Sequence, residues 1–315
     1  MKASSITVDR NLSLLFKSPW GHGKTLAAAS FAIDGPVYLA YWDKKKPIEL
    51  VNFFRRMGER GKRILDNIEY DVYGAHNANE FLNKLIDFSQ NCRLFAFIND
   101  SATNMTSAAA NWSLNFNVDR KDKNKIKILP DFDEYKVVTS LATQALDICR
   151  TLPCNVIWTC HPVSSIKIEG TGKTMKVSKV NPIVTYGNKA GDIIPGNFSE
   201  IYHFSKQSSW DSQSGKSSIK YLVSTEAIGD DFAKSNIGLS CELDITDKLF
   251  YEVWKEKVEQ HRKELDNAIE QSNSTPFNPF IKSSNLENQP TTDVNQPTTQ
   301  PTQKWNPEKG IYETS

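Results

Sequence analysis

No stretch of this chain approaches the roughly 18 apolar residues in a row that a membrane-spanning helix needs, and its opening residues, MKASSITVDRN, hold no apolar block of the secretory kind. C-x-x-C spacing is absent too. The five cysteines (Cys92, Cys149, Cys154, Cys160 and Cys241) are odd in number and scattered through apolar segments, a pattern that fits a reduced intracellular protein better than a disulfide scaffold. An excess of either charge is missing. Thirty-eight basic residues face 37 acidic ones for a formal net charge of +1, so nucleic-acid binding would need a local patch rather than an overall field. These absences predict a soluble, cytoplasmic chain with no membrane partner.

At 315 residues the chain is long enough for a full α/β domain with a sizeable core. The composition shifts near Ile269. Residues 271–315 are rich in Pro, Thr, Gln and Asn and carry NQPTT twice, at 288–292 and 295–299, which predicts a disordered tail. It is either a solvated linker or a carrier of short partner motifs built on Phe277, Phe280, Trp305 and Tyr312. Before it, a charged pattern beginning at Leu249 reads as a helix that closes the folded part, giving a division into 1–255, a closing helix at 256–270 and the tail.

Between these ends, short apolar runs alternate with helical patterns. Strands are expected at 12–16, 36–42, 69–74, 93–100, 155–160, 199–204 and 218–224, with helices at 24–32, 48–57, 79–89 and 134–150. Apolar runs without alternation suit strands covered on both faces, so the expected class is α/β with a mainly parallel sheet flanked by helices. The Ser- and Lys-rich later strands read as antiparallel additions.

Two GKT sequences compete for one chemistry. A phosphate-binding loop needs glycines that let backbone N–H groups close on phosphate, a lysine, and a helix start whose dipole favours the anion. Ser18-Pro19-Trp20-Gly21-His22-Gly23-Lys24-Thr25, continued by Leu26, follows LSLLF and opens an Ala-rich helical pattern. By contrast, Gly172-Lys173-Thr174 is followed by the alternating Met-Lys-Val-Ser-Lys-Val and reads as a hairpin turn. The first site departs from G-x-x-x-x-G-K-[ST] only at Ser18.

If 18–25 holds nucleotide, Lys24 neutralises phosphate and Thr25 coordinates Mg²⁺, leaving a metal-supporting carboxylate and a water-activating group to be found. Asp100, ending RLFAFIND, suits the first role; its plainer reading is a cap on the helix-like SATNMTSAAA. Asp43, ending PVYLAYW, suits the second, the plainer reading being a pair with Lys44–Lys46. His161, ending NVIWTCH, could bond the γ-phosphate or be structural.

Loop GHGKT, Asp43, Asp100-Ser101 and His161, in that order, resemble the RecA-like P-loop NTPase core, and more narrowly the small phage-encoded RecA-like ATPases associated with single-strand annealing and recombination. The pieces IKIEGTGKTMKVSKVNPIVTYGNKAGDIIPG and KYLVSTEAIGDDFAKSNIGL carry the narrower likeness, which spans roughly residues 10–255. The resemblance implies Mg²⁺·ATP bound and hydrolysed, single-stranded DNA as partner, a homo-oligomeric ring or filament, and a bacterial cytoplasm, or a host's. It also implies a cation reaching in from a neighbouring subunit. No arginine occurs between Arg150 and Arg262, so that cation would be lysine, with Lys206 and Lys220 the candidates; otherwise both are solvated. The tail would recruit a single-strand-binding or annealing protein.

In such a core the loop after Asp100-Ser101 and a second loop at 162–182 face DNA. The first, 104–130, is too long for an ordinary connection and holds Trp112, Arg120, Lys121, Lys123 and Lys125; the second holds Lys167 and Lys173. Both basic runs are otherwise solvated surface. With no helix-turn-helix or zinc-finger pattern, a single strand is favoured over a sequence-read duplex. The rival readings are a replicative helicase or helicase loader, and a nucleotide-gated binding module with negligible turnover. Replacing Lys24 by Ala is expected to abolish ATP binding, while Lys173→Ala leaves it near wild type; calorimetric titration of both variants decides which GKT holds the phosphate.

Overall fold

The computed structural model describes residues 11–43, 46–116, 132–161, 194–211, 216–226, 233–239, 241–274, 303–306 and 311–314. Eight strands form one sheet: β1 (Ser13–Lys17), β2 (Val37–Tyr41), β3 (Ile68–Val72), β4 (Ala96–Asp100), β5 (Asn155–Cys160), β6 (Glu200–Asp211), β7 (Lys216–Ser224) and β8 (Glu242–Asp244). Their order is β3-β2-β4-β5-β1-β6-β7-β8. From β3 through to β6 neighbours run parallel, and β7 and β8 are added antiparallel. The expected mainly parallel sheet with late antiparallel strands is what the chain forms.

Alternation along each strand divides the core into two layers. Leu14, Phe16, Val37, Leu39, Ala96, Ile98 and Ile157 face one way, toward α1 (Lys24–Ala29), α2 (Ile48–Arg55), α3 (Glu59–Asp66) and α7 (Phe250–Ser274). Leu15, Tyr38, Ala40, Phe97, Val156 and Trp158 face the other, toward α4 (Ala78–Asn91), α5 (Ala102–Phe116) and α6 (Phe132–Cys149). Covering both faces is what allows these strands to be apolar throughout. Helix α1 is short because it tightens after Ala29 into a 3₁₀ turn, Ser30–Ile33.

Two segments differ from expectation. The segment from Asn104 is not a loop at its start: ATNMTSAAANWSLNF forms α5, whose strong helix formers bury Met105, Ala108, Ala109 and Ala110. Small side chains there let α5 approach α6, and the polar residues that suggested a loop occupy other positions. Helix α3 was not foreseen, since ERGKRILD buries only Gly61 and Ile64. The helix read from Leu249 forms as α7, and its first turns carry Phe250, Tyr251 and Trp254, which are buried against the sheet layer and belong to the core.

By its contacts the chain divides into 1–265 and 266–315. Within the second unit, and within the segment expected to lack order, Gln303–Asn306 (β9) and Ile311–Thr314 (β10) pair as an antiparallel hairpin that sets Trp305 opposite Tyr312. No helix among the described residues is long and apolar enough to cross a membrane.

Gly61 marks the tightest approach between α2 and α3. A Cβ there would stand 1.7 Å from the Phe54 carbonyl oxygen, whereas one on Gly196 would meet nothing within 4 Å. Gly61→Ala is therefore expected to cost about 1–3 kcal/mol, and Gly196→Ala about 0.5 kcal/mol or less. Urea denaturation of the two variants measures the difference.

Candidate functional site

The parallel strands end on one side of the sheet, and the loop 18–23 joins the end of β1 to the first turn of α1. Gly21 and Gly23 hold φ values of 76° and 88°, the left-handed region that glycine enters without strain. A Cβ on either would meet nothing within 4 Å, so the restriction to glycine is conformational. Ser18, at the position where a glycine was expected, is buried. Its φ is not positive, so serine fits there without strain.

Lys24 turns back over the loop. Its Nζ donates to the Ser18 carbonyl oxygen at 2.7 Å, to Ser18 Oγ at 3.0 Å and to the Pro19 carbonyl oxygen at 3.0 Å. It also lies 3.2 Å from His161 Nδ1. Burial lowers the Lys24 pKa to about 8, against the opposing pull of Cys160 and Asp100. Burial, then the Lys24 charge, lowers His161 to about 4, so the ring is neutral near pH 7. Nδ1 cannot accept from the ammonium and also donate to the Ser18 carbonyl oxygen, which stands 3.3 Å away. The three ammonium hydrogens already face the Ser18 carbonyl oxygen, Ser18 Oγ and the Pro19 carbonyl oxygen, so the tautomer decides which neighbour Nδ1 bonds. The backbone N–H of His161 donates to Thr103 Oγ1 at 2.9 Å, and Trp20, exposed, stands over the ring at 5.1 Å.

Asp100 is the buried centre of the site. Thr25 Oγ1, from α1, donates to its Oδ2 at 2.8 Å, and Thr159 Oγ1, from β5, donates to its Oδ1. Burial raises the Asp100 pKa; the two hydroxyls and Lys24 pull it back down. The Asp100–Ser101 peptide is cis. Next to it on β4, Asn99 Oδ1 accepts from Trp42 Nε1 at 2.7 Å, and the Trp42 backbone N–H extends the ladder to the Asp100 carbonyl oxygen. That pairing brings the residue after Trp42, Asp43, to the same end of the sheet. Asp43 is exposed, and its charge is felt at Asp100, at His161 and at Tyr41, whose phenol bonds to it and is raised above its ordinary pKa chiefly by burial.

Lys24, Thr25, Asp43, Asp100 and His161, expected from different stretches of sequence, thus line one cleft of about 1020 Å³, together with Trp20–Gly23 and Leu26. Its far wall comes from Ile48, Phe53 and Met57 on one side and Tyr221, Ile245 and Leu249 on the other. Other expected residues lie elsewhere. Lys206 and Lys220 are exposed on β6 and β7 and do not line the cleft. Trp112 is on α5, half-buried against the core, not in a loop. Arg120, Lys121, Lys123, Lys125, Lys167 and Lys173 fall outside the described residues.

Sequence reasoning missed Thr159, Thr103 and Asn99. For Thr159 and Asn99 a signal existed, a single polar residue inside an otherwise apolar strand. Such a group is kept in a core only when it is hydrogen-bonded.

No protein-family model matches the chain, and no curated protein matches it. Among solved structures, the crystal structure of the RadB recombinase is similar over 76% of this chain and 89% of that one, with 13% identity and a TM-score of 0.43. A likeness of that degree carries no argument about activity.

The glycine loop, its buried lysine and the helix start have the chemistry of an anion cradle. An entering anion would draw the Lys24 ammonium off its carbonyls and raise its pKa. Above about pH 8 the free chain would then have to take up a proton to bind, and below that pH it would not. Titrations with ATP in buffers of different ionisation enthalpy are expected to show proton uptake at pH 8.5 that fades by pH 7, and affinity that falls as the pH rises above about 8.

Proposed function

We propose that the chain is a RecA-type P-loop ATPase that acts on single-stranded DNA in recombination. The observation that carries the reading is the hydrogen-bonded set Thr25, Asp100 and Thr159, with the Lys24 ammonium bonded to the glycine loop beside it, at the carboxyl ends of β1, β4 and β5. Motif order and the mainly parallel sheet are consistent with it.

The residues fit a triphosphate and a hard divalent cation. Loop residues 20–23 carry the backbone N–H groups for phosphate, since Ser18 donates to the Cys160 carbonyl oxygen and Pro19 has no N–H, and Thr25 with Asp100 offers the oxygen donors that Mg²⁺ takes in ones and twos while keeping waters and phosphate oxygens. A buried carboxylate with a raised pKa is stabilised by such a cation. Mg²⁺, when bound, would neutralise charge on the phosphates. In this reading Lys24 leaves the loop carbonyls for the phosphate, Thr25 and Asp100 hold the metal shell, and Asp43 orients the attacking water. His161, released from the Lys24 charge, becomes more basic and able to bond the terminal phosphate. Neighbouring copies in a ring or filament would complete the site, with Lys206 or Lys220 as the cation supplied in trans.

Asp43→Asn is expected to lower ATP turnover by about 10²-fold while leaving ATP affinity within a few-fold. Turnover is measured with and without single-stranded DNA. Wild-type chain that binds ATP tightly yet shows no turnover even with DNA would sink hydrolysis and leave a nucleotide-gated binding module.

A further inference from the structure

Strands β6 and β7 outrun the sheet that holds them. Strand β1 pairs with β6 only from Glu200 to His203, and β8 pairs with β7 only from Leu222 to Ser224. Among the described residues, the strand positions 207–211 and 216–220 pair only with each other, as a two-stranded ribbon projecting past its neighbours. Residues directly opposite share a face, so Lys206 and Tyr221, Ser208 and Ile219, and Trp210 and Ser217 line one side of it. On that side Trp210 is 69% exposed and Ile219 41%, and Tyr221 at the ribbon's base lines the cleft.

We propose that this ribbon face is a contact for single-stranded nucleic acid, with Trp210 as the ring on which a base stacks. The class of partner rests on the single-strand reading above; the surface is new. Composition favours nucleic acid over a second copy of the chain. Residues 205–221 hold seven serines, three lysines, two glutamines and one aspartate around a single tryptophan. Serine and lysine are depleted where proteins meet proteins, and they are common donors to phosphate. An exposed ring beside lysines is the arrangement that binds single strands by stacking, which needs a base face that a duplex does not offer.

The geometry also gives the contact a route inward. Trp210, Ile219 and Tyr221 follow one another along one face from the ribbon to the cleft wall, and the loop residue His22 donates from Nδ1 to the Phe204 carbonyl oxygen on β6 at 3.3 Å. A strand lying along this face would touch the same sheet segment that touches the glycine loop.

The test uses the full chain and a labelled oligothymidylate, with binding followed by fluorescence anisotropy and mass by light scattering. Trp210→Ala and Trp210→Leu are expected to weaken binding about tenfold, while Trp210→Phe, which keeps a ring, stays within about threefold. ATP affinity and mass stay unchanged in the Trp210 variants. Wild type that binds the oligonucleotide with all Trp210 variants equal to it overturns the ribbon and leaves the single-strand reading standing. A drop in mass in the Ala and Leu variants assigns the face to contact between copies instead. Wild type that does not bind the oligonucleotide removes the single-strand reading and the ribbon with it.

Discussion

A carboxylate buried at the end of a central strand must be paid for by donors, and Asp100 finds them in two threonines that reach it from different elements. Thr25 ties it to the first turn of α1 and Thr159 ties it to β5, so the glycine loop, the helix after it and the central strands share one hydrogen-bonded anchor. Removing any member would leave a buried polar group unsatisfied, which is costlier than never having placed it there. The site is rigid on this side and open on the other.

Lys24 supplies the complementary tension. Its ammonium is held by loop carbonyls beside a neutral histidine while burial disfavours its charge, so the group best placed to receive an anion is the one least comfortable without it. That makes the loop a site prepared for charge rather than one that must rearrange its backbone to receive it. His161 shares the arrangement, since its low basicity depends partly on the neighbouring ammonium.

The loop and most strands could be read from sequence because their signals are local: glycines at fixed spacing before an Ala-rich helix, and apolar runs ended by a single carboxylate or histidine. The pairings of Thr159 with Asp100 and of Thr103 with His161 could not, since the partners lie 59 and 58 residues apart, and the lone polar residue in β5 marks Thr159 without saying what it meets. Polarity misled at α5, where buried alanines rather than large apolar residues do the packing, and α3 has too few buried side chains to show a period. The far wall of the cleft arrives from Tyr221 and from 245–250, and nothing in the loop sequence announces it.

The aromatic start of α7 has a temporal consequence. Tyr251 donates its backbone N–H to Ser30 Oγ across 221 residues of chain, and Phe250, Tyr251 and Trp254 all pack around Phe31, one turn beyond the helix that follows the glycine loop. The layer behind that helix is therefore completed by an element that follows all eight strands of the sheet in the chain, a long-range closure of the kind that slows folding.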